Sequence, residues 1–134
     1  MDDQVIGKIG PGLVVLLGIK HEDGPAEAEY IVNKVVNLRI FGDDEGKMNL
    51  SALDVNAELL VISQFTLYGD TRRGRRPSFT EAARPEHSEP LYHEMLTLFR
   101  NTGLTVREGS FGAHMLVEIH NNGPVTLMID SDDK

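Results

Sequence analysis

With 134 residues the chain has the size of one domain, and its 40% hydrophobic and 25% charged residues suit a folded protein that buries a core without staples. The lack of cysteine excludes disulfides and thiolate catalysis and leaves zinc only histidines and carboxylates. A net charge of −8 excludes a uniformly positive surface that coats nucleic acid.

One domain over residues 1–134 is expected, without repeat or linker. Met1-Asp2-Asp3-Gln4 lacks the basic and apolar regions of a signal peptide, and no apolar run reaches the roughly 20 residues that span a bilayer, which makes the cytoplasm the default location.

Val5–Ile9 and Gly12–Ile19, separated by Gly10-Pro11, read as two strands of a hairpin, the second apolar enough to be buried on both faces. From Pro25 onward, Ala28, Ile31, Val35 and Leu38 recur at helical steps behind an acidic first turn. Arg39–Phe41 reads as a short strand, and Gly42–Lys47 as a turn before Met48-Asn49-Leu50. Glu58–Leu67 is the strongest strand pattern, its end turning polar at Ser63-Gln64-Phe65-Thr66.

A second helix is expected over about Pro85 to Arg100, with Leu91, Met95 and Leu98 as its apolar stripe and Gly103 as its cap. Leu104–Val106, Met115–Ile119 and Val125–Ile129 read as further strands, and Asp130–Lys134 as a frayed tail. Because turns outnumber crossovers, the expected fold is α+β: a curled, barrel-like antiparallel sheet with two packed helices.

Two constellations are candidates for chemistry. Ser63-Gln64-Phe65-Thr66 is either a strand meeting water as it leaves the core or a polar shelf whose hydroxyl and amide groups meet a substrate carbonyl. Alternation puts Ser63 and Phe65 on one face, Gln64 and Thr66 on the other. Asn121-Asn122-Gly123-Pro124 is either a plain hairpin turn or a place where carbonyls approach a ligand closely, because glycine has no side chain and a Gly-Pro bond can be cis.

Charge is unevenly spread. Of 13 basic residues, five are Arg72, Arg73, Arg75, Arg76 and Arg84. The stretch is either a solvated loop or a phosphate-gripping loop on an acidic body. His21, His87, His93, His114 and His120 lack helical metal-ligand spacing and read as surface or packing residues. No Gly-x-Ser-x-Gly elbow, phosphate loop or calcium loop is present; Asp43-Asp44-Glu45-Gly46 reads as a hairpin turn.

Ser63-Gln64-Phe65-Thr66-Leu67 and Asn121-Asn122-Gly123-Pro124-Val125-Thr126 resemble the two signature motifs of the D-aminoacyl-tRNA deacylases. Asn37–Phe41, Gly46–Ser51, Gly74–Phe79 and Phe111–Met115 resemble further segments of that family in the same order, so the similarity runs from about Val5 to Ile129. It implies an ester hydrolase that frees D-amino acids from tRNA, without a cofactor, metal or membrane. It also implies a homodimer with active sites at its interface, where a cis Gly123-Pro124 reaches into the partner's site.

Chirality is then read by exclusion: Gly123, Pro124 and the adjoining Asn121, Val125 and Thr126 leave no room for an L side chain, so glycyl-tRNA, including glycine mischarged on tRNA-Ala, should pass. Ser63 and Gln64 would hold the terminal adenosine, while N–H groups near Phe65 and Thr66 would stabilise the oxyanion as the ribose 2′-hydroxyl assists water. Phe79, Phe111 and Met115 would form walls or adenine contacts, and Arg72, Arg73, Arg75 and Arg76 would position phosphates.

The family ordinarily begins with one more strand, carrying an arginine that braces the Gly-Pro loop, and Ser88 stands where alanine is usual. Two other functions fit the same residues: an inactive homologue that binds RNA ends, and a hydrolase of small esters using Thr66 as nucleophile.

Overall fold

The structure, a computed structural model, describes residues 4–134; Met1, Asp2 and Asp3 of the expected leaderless N-terminus lie outside the described residues. The elements are β1 (Gly12–Leu17), α1 (Pro25–Asn37), β2 (Phe41–Gly42), β3 (Met48–Leu50), α2 (Ala52–Val55), β4 (Glu58–Ser63), a 3-10 turn (Phe65–Tyr68), α3 (Pro85–Asn101), β5 (Val106–Glu108) and a terminal 3-10 turn (Ser131–Asp133). They form a small α+β domain.

The apolar runs GLVVLL and ELLVIS become neighbouring strands. β1 pairs with β4 in parallel from Gly12↔Glu58 to Leu17↔Ser63, and β4 pairs in parallel with β5. A strand covered on both faces loses the polar alternation of a half-exposed one, which accounts for the unbroken apolar pattern of β4. Leu59 and Val61 face α1 and α3 with no exposed surface. Burying such a side chain contributes about 1.5–3 kcal/mol.

Both helices begin with a proline in their first turn, where its missing N–H costs nothing. The Gly24 N–H donates to Glu27 Oε1 at 2.8 Å, which satisfies a free donor at the start of α1. α1 buries Ala28, Val32, Val35 and Val36. α3 buries Leu91, Tyr92, Met95, Leu96 and Phe99, and Gly103 follows it at φ +91°, a left-handed conformation that favours glycine. α2 is one short turn with reciprocal caps: the Asp54 N–H donates to Ser51 Oγ, and the Ser51 N–H to the Asp54 carboxylate.

Several expectations are corrected. Val5–Ile9 forms no hairpin with β1. A Cβ placed on Gly7 would lie 2.6 Å from the Glu108 carbonyl oxygen, so this segment crosses the end of β5, while β1 pairs across the chain with β4. The three-stranded sheet is therefore parallel rather than antiparallel; antiparallel pairing is confined to β2 and β3, around the expected Gly42–Lys47 turn, and to isolated bridges. Met115–Ile119 and Val125–Ile129 form no ladder, and no closed barrel is found among the described residues.

Leu38 caps α1 instead of extending its apolar face, and Val32 and Val36 are buried there. The tail is not frayed: Lys20 pairs with Asp132, and Lys134 lies 5.3 Å from the Tyr30 ring.

The free edge of β1 and residues 4–10, 115–122 and 125–131 line an open trench of about 1890 Å³. Val5, Ile6, Leu116, Ile119, Leu127 and Met128, in the two extended segments beside it, are exposed. No helix is long and apolar enough to cross a membrane among the described residues.

Candidate active site

β4 ends at Ser63, four residues short of the expected strand, because the main chain bends into the 3-10 turn Phe65–Tyr68. The bend is fixed on both sides: the Gln64 N–H donates to the Leu17 carbonyl at 2.7 Å, and the Gly69 N–H to the Thr66 carbonyl at 2.9 Å. Strand alternation thus stops after Ser63 and no longer dictates the expected sorting of Ser63 with Phe65 against Gln64 with Thr66. The Gln64 side-chain amide instead donates to Thr66 Oγ1, joining two residues that alternation had only placed on one face.

Phe65 and Thr66 are the first two residues of the 3-10 turn, so their N–H groups precede any partner within it. Phe65 is 56% exposed and stacks edge-on against Phe79, with ring centroids 5.2 Å apart. Two glycines allow this arrangement. A Cβ on Gly69 would meet the Phe79 ring at 3.0 Å, and one on Gly18 would meet Tyr68 at 3.1 Å. Burial pushes the Tyr68 phenol up from its usual pKa.

The arginine loop follows at once. Asp70 and Ser78 exchange two backbone hydrogen bonds of 2.7 and 2.9 Å, which close the foot of the loop. The Asp70 carboxylate accepts from Arg72 Nε at 3.0 Å and from an Arg72 terminal nitrogen at 2.7 Å. These bonds hold the Asp70 carboxyl down at about 2. Arg73, Arg75 and Arg76 are exposed and make no hydrogen bond or ion pair recorded among the described residues.

Beyond the loop, the chain returns to the body through the Ala83 N–H to the Ile19 carbonyl, at 2.8 Å. His21 and His87 donate to the carbonyls of Thr80 and Asp23 at 2.7 and 2.6 Å, joining the β1–α1 loop to the segment that leads into α3 and to the first turn of α3 itself. Sequence spacing gave no sign of this pairing.

Gly123-Pro124 is cis and lies in an exposed turn without flanking strands, which corrects the expected hairpin. Asn121 Nδ2 donates to Thr126 Oγ1 at 3.0 Å, and the Val125 N–H donates to Asn121 Oδ1 at 3.2 Å. Phe111 packs on Tyr92 at 5.8 Å between centroids, and the Ser110 N–H points at Met115 Sδ. No hydrogen bond, ion pair or ring contact joins residues 121–126 to residues 63–66 among the described residues.

No group of three or more His, Asp or Glu suited to a metal ion occurs among the described residues. Among the described residues one buried side-chain polar atom, Asp23 Oδ1, has no hydrogen-bond partner, and burial pushes that carboxyl up from its usual pKa.

These features define a single α+β domain in which a polar shelf, an aromatic pair and a cationic loop follow one another at the end of a buried strand. A family model described as D-Tyr-tRNA(Tyr) deacylase matches residues 1–130, and the chain belongs to that family. A relative from Dehalococcoides mccartyi, named D-aminoacyl-tRNA deacylase, is 57% identical over 129 residues, 96% of this chain and 84% of its own length. A Bacillus subtilis relative, named inactive D-aminoacyl-tRNA deacylase, is 54% identical over 131 residues, 98% of this chain and 99% of its own length. A solved structure titled c-Myc DNA Unwinding Element Binding Protein superposes with a TM-score of 0.85 at 42% identity, covering 91% of this chain and 83% of the other.

Proposed function

We propose that the chain hydrolyses the ester of D-aminoacyl-tRNA, releasing the D-amino acid and free tRNA. The observation that carries this reading, beside family membership, is the turn at Phe65-Thr66: two N–H groups that the turn does not use, next to an exposed aromatic pair. Donors fixed before substrate arrives stabilise a developing oxyanion without reorganisation. The Thr66 hydroxyl bonds to the Gln64 amide rather than to a base, which favours water over Thr66 as the nucleophile.

Water attacks the ester carbonyl, aided by the ribose 2′-hydroxyl. The Phe65 and Thr66 N–H groups take the oxyanion, and the 3′-oxygen leaves with a proton. Ser63 and Gln64 hold the terminal adenosine, with Phe79, Phe111 and Met115 as walls. Arg73, Arg75 and Arg76 grip phosphates, while Arg72 shapes their loop. Gly123, Pro124 and their neighbours Asn121, Val125 and Thr126 exclude L side chains, so glycyl-tRNA, including that of tRNA-Ala, is also a substrate.

The active unit is a homodimer. In support, no hydrogen bond, ion pair or ring contact joins the shelf to the Gly-Pro loop among the described residues, and the apolar residues beside the trench stand ready to be covered. Pairing of the extended segments in the assembly would curl the sheet toward a barrel. A cytoplasmic location accords with a tRNA substrate.

Incubation with matched D- and L-tyrosyl-tRNA tests the reading: loss of the D-ester alone supports it. A second reading, an RNA-end binder without turnover, is favoured by the name of the Bacillus relative. Protection of both esters by a chain that binds tRNA would support that one.

A further inference from the structure

Among the described residues no hydrogen bond ties the turn around Gly123-Pro124 to the rest of its own chain. The hydrogen bonds of residues 116–129 recorded among the described residues are two, and both belong to Asn121. One planar amide uses its donor on the Thr126 hydroxyl and its acceptor on the Val125 N–H, so it spans the turn from residue 121 to residue 126.

We propose that Asn121 is a positioning residue for chirality: its side chain locks Val125 and Thr126 and so fixes the surface that Gly123 and Pro124 present to the substrate. The inference rests on the reading of this loop as the L-excluding wall.

The coupling to Gly123 is direct. Gly123 sits at φ +152°, in the region that favours glycine, and a Cβ there would lie 3.1 Å from the Val125 nitrogen and 3.2 Å from Val125 Cγ2. The nitrogen that Asn121 holds is therefore the atom packed beneath Gly123. Release of Val125 frees Gly123, and a wall that discriminates by shape discriminates only while its shape holds. Asn122, next in sequence, makes no side-chain hydrogen bond among those recorded, which makes it the internal control.

Asn121→Ala, Asn121→Asp, Thr126→Val and Asn122→Ala are compared with the unaltered chain on D- and L-tyrosyl-tRNA. Asn121→Ala is expected to lower the D-over-L ratio of kcat/KM by about tenfold or more. Asn121→Asp keeps the acceptor for Val125 and accepts from the Thr126 hydroxyl, so it should stay within about threefold; Thr126→Val should fall between. Asn122→Ala should leave the ratio unchanged. A ratio within about twofold of the unaltered chain in Asn121→Ala overturns the proposal.

Amide exchange at Val125, followed by NMR, reads the clamp without the reaction. It should quicken by about fivefold or more in Asn121→Ala. Unchanged exchange overturns the proposal whatever the tRNA assays give. If the unaltered chain releases neither ester, the deacylase reading fails and the exchange measurement alone decides whether Asn121 holds the loop.

Discussion

The Tyr92 hydroxyl donates a 2.8 Å hydrogen bond to the Val61 carbonyl, joining the buried face of α3 to the middle strand of the sheet. The phenol is 1% exposed, and burial, reinforced by the nearby Glu108 carboxylate, pushes its pKa up to about 12 from 10.0. Tyr92→Phe should cost about 1–2 kcal/mol in urea unfolding. The raised pKa also gives a sign: this contribution is complete below about pH 10 and is lost as pH rises toward 12, because the unfolded chain ionises first. The Tyr92→Phe variant should show a flatter alkaline limb.

Gly12 lies against Glu58 so closely that a Cβ would stand 1.8 Å from the Glu58 carbonyl oxygen, whereas one on Gly42 would meet nothing within 4 Å. Gly12→Ala must spread β1 from β4 and should cost about 3 kcal/mol or more, while Gly42→Ala should be close to neutral. Thermal unfolding of the two variants side by side tests the contrast.

The bidentate hold of Asp70 on Arg72 separates that arginine from Arg73, Arg75 and Arg76. Alanine at any of the latter three should reduce the salt slope of tRNA binding by about 0.7. Arg72→Ala should change the slope less. The Asp70 carboxyl should titrate near 2, and in Arg72→Ala it should return toward 3.8. Binding isotherms at several salt concentrations and carboxyl NMR provide the measurements.

Thr66→Ala separates the substrate-assisted route from a threonine nucleophile. On the assisted route, turnover of D-tyrosyl-tRNA should fall by about tenfold or less, through loss of the Gln64 contact. Complete loss in a folded variant would point to Thr66 as nucleophile.

Both long helices were legible because their signals are local: a proline start, an apolar stripe and, for α3, Gly103 behind it. Strand pairing was not. Gly10-Pro11 reads as a hairpin turn, yet the partner of Gly12 is Glu58, reached through α1, the β2–β3 pair and α2. The unbroken apolar run of β4 did hint at burial on both faces, hence at parallel neighbours, whereas that of β1 misled: β1 is an edge strand in which only Leu17 is buried and Leu16 is 39% exposed.

The end of β4 was misread because Phe65 and Leu67 prolong the apolar pattern while standing 56% and 40% exposed. For the candidate site, the two motifs were visible as words, but their internal bonds were not. Gln64 to Thr66 depends on the 3-10 turn, and Asn121 to Val125 and Thr126 on the turn around Gly123, neither of which residue types specify.

If the shelf of one chain is completed by the Gly-Pro loop of a second, as proposed, the reaction has a molecularity of two. Dilution below the dimer dissociation constant should then extinguish turnover without unfolding anything. Two separately dead chains, one altered at Gln64 and the other at Gly123, should regain activity on mixing, since each mixed pair assembles one site from the intact half of each partner.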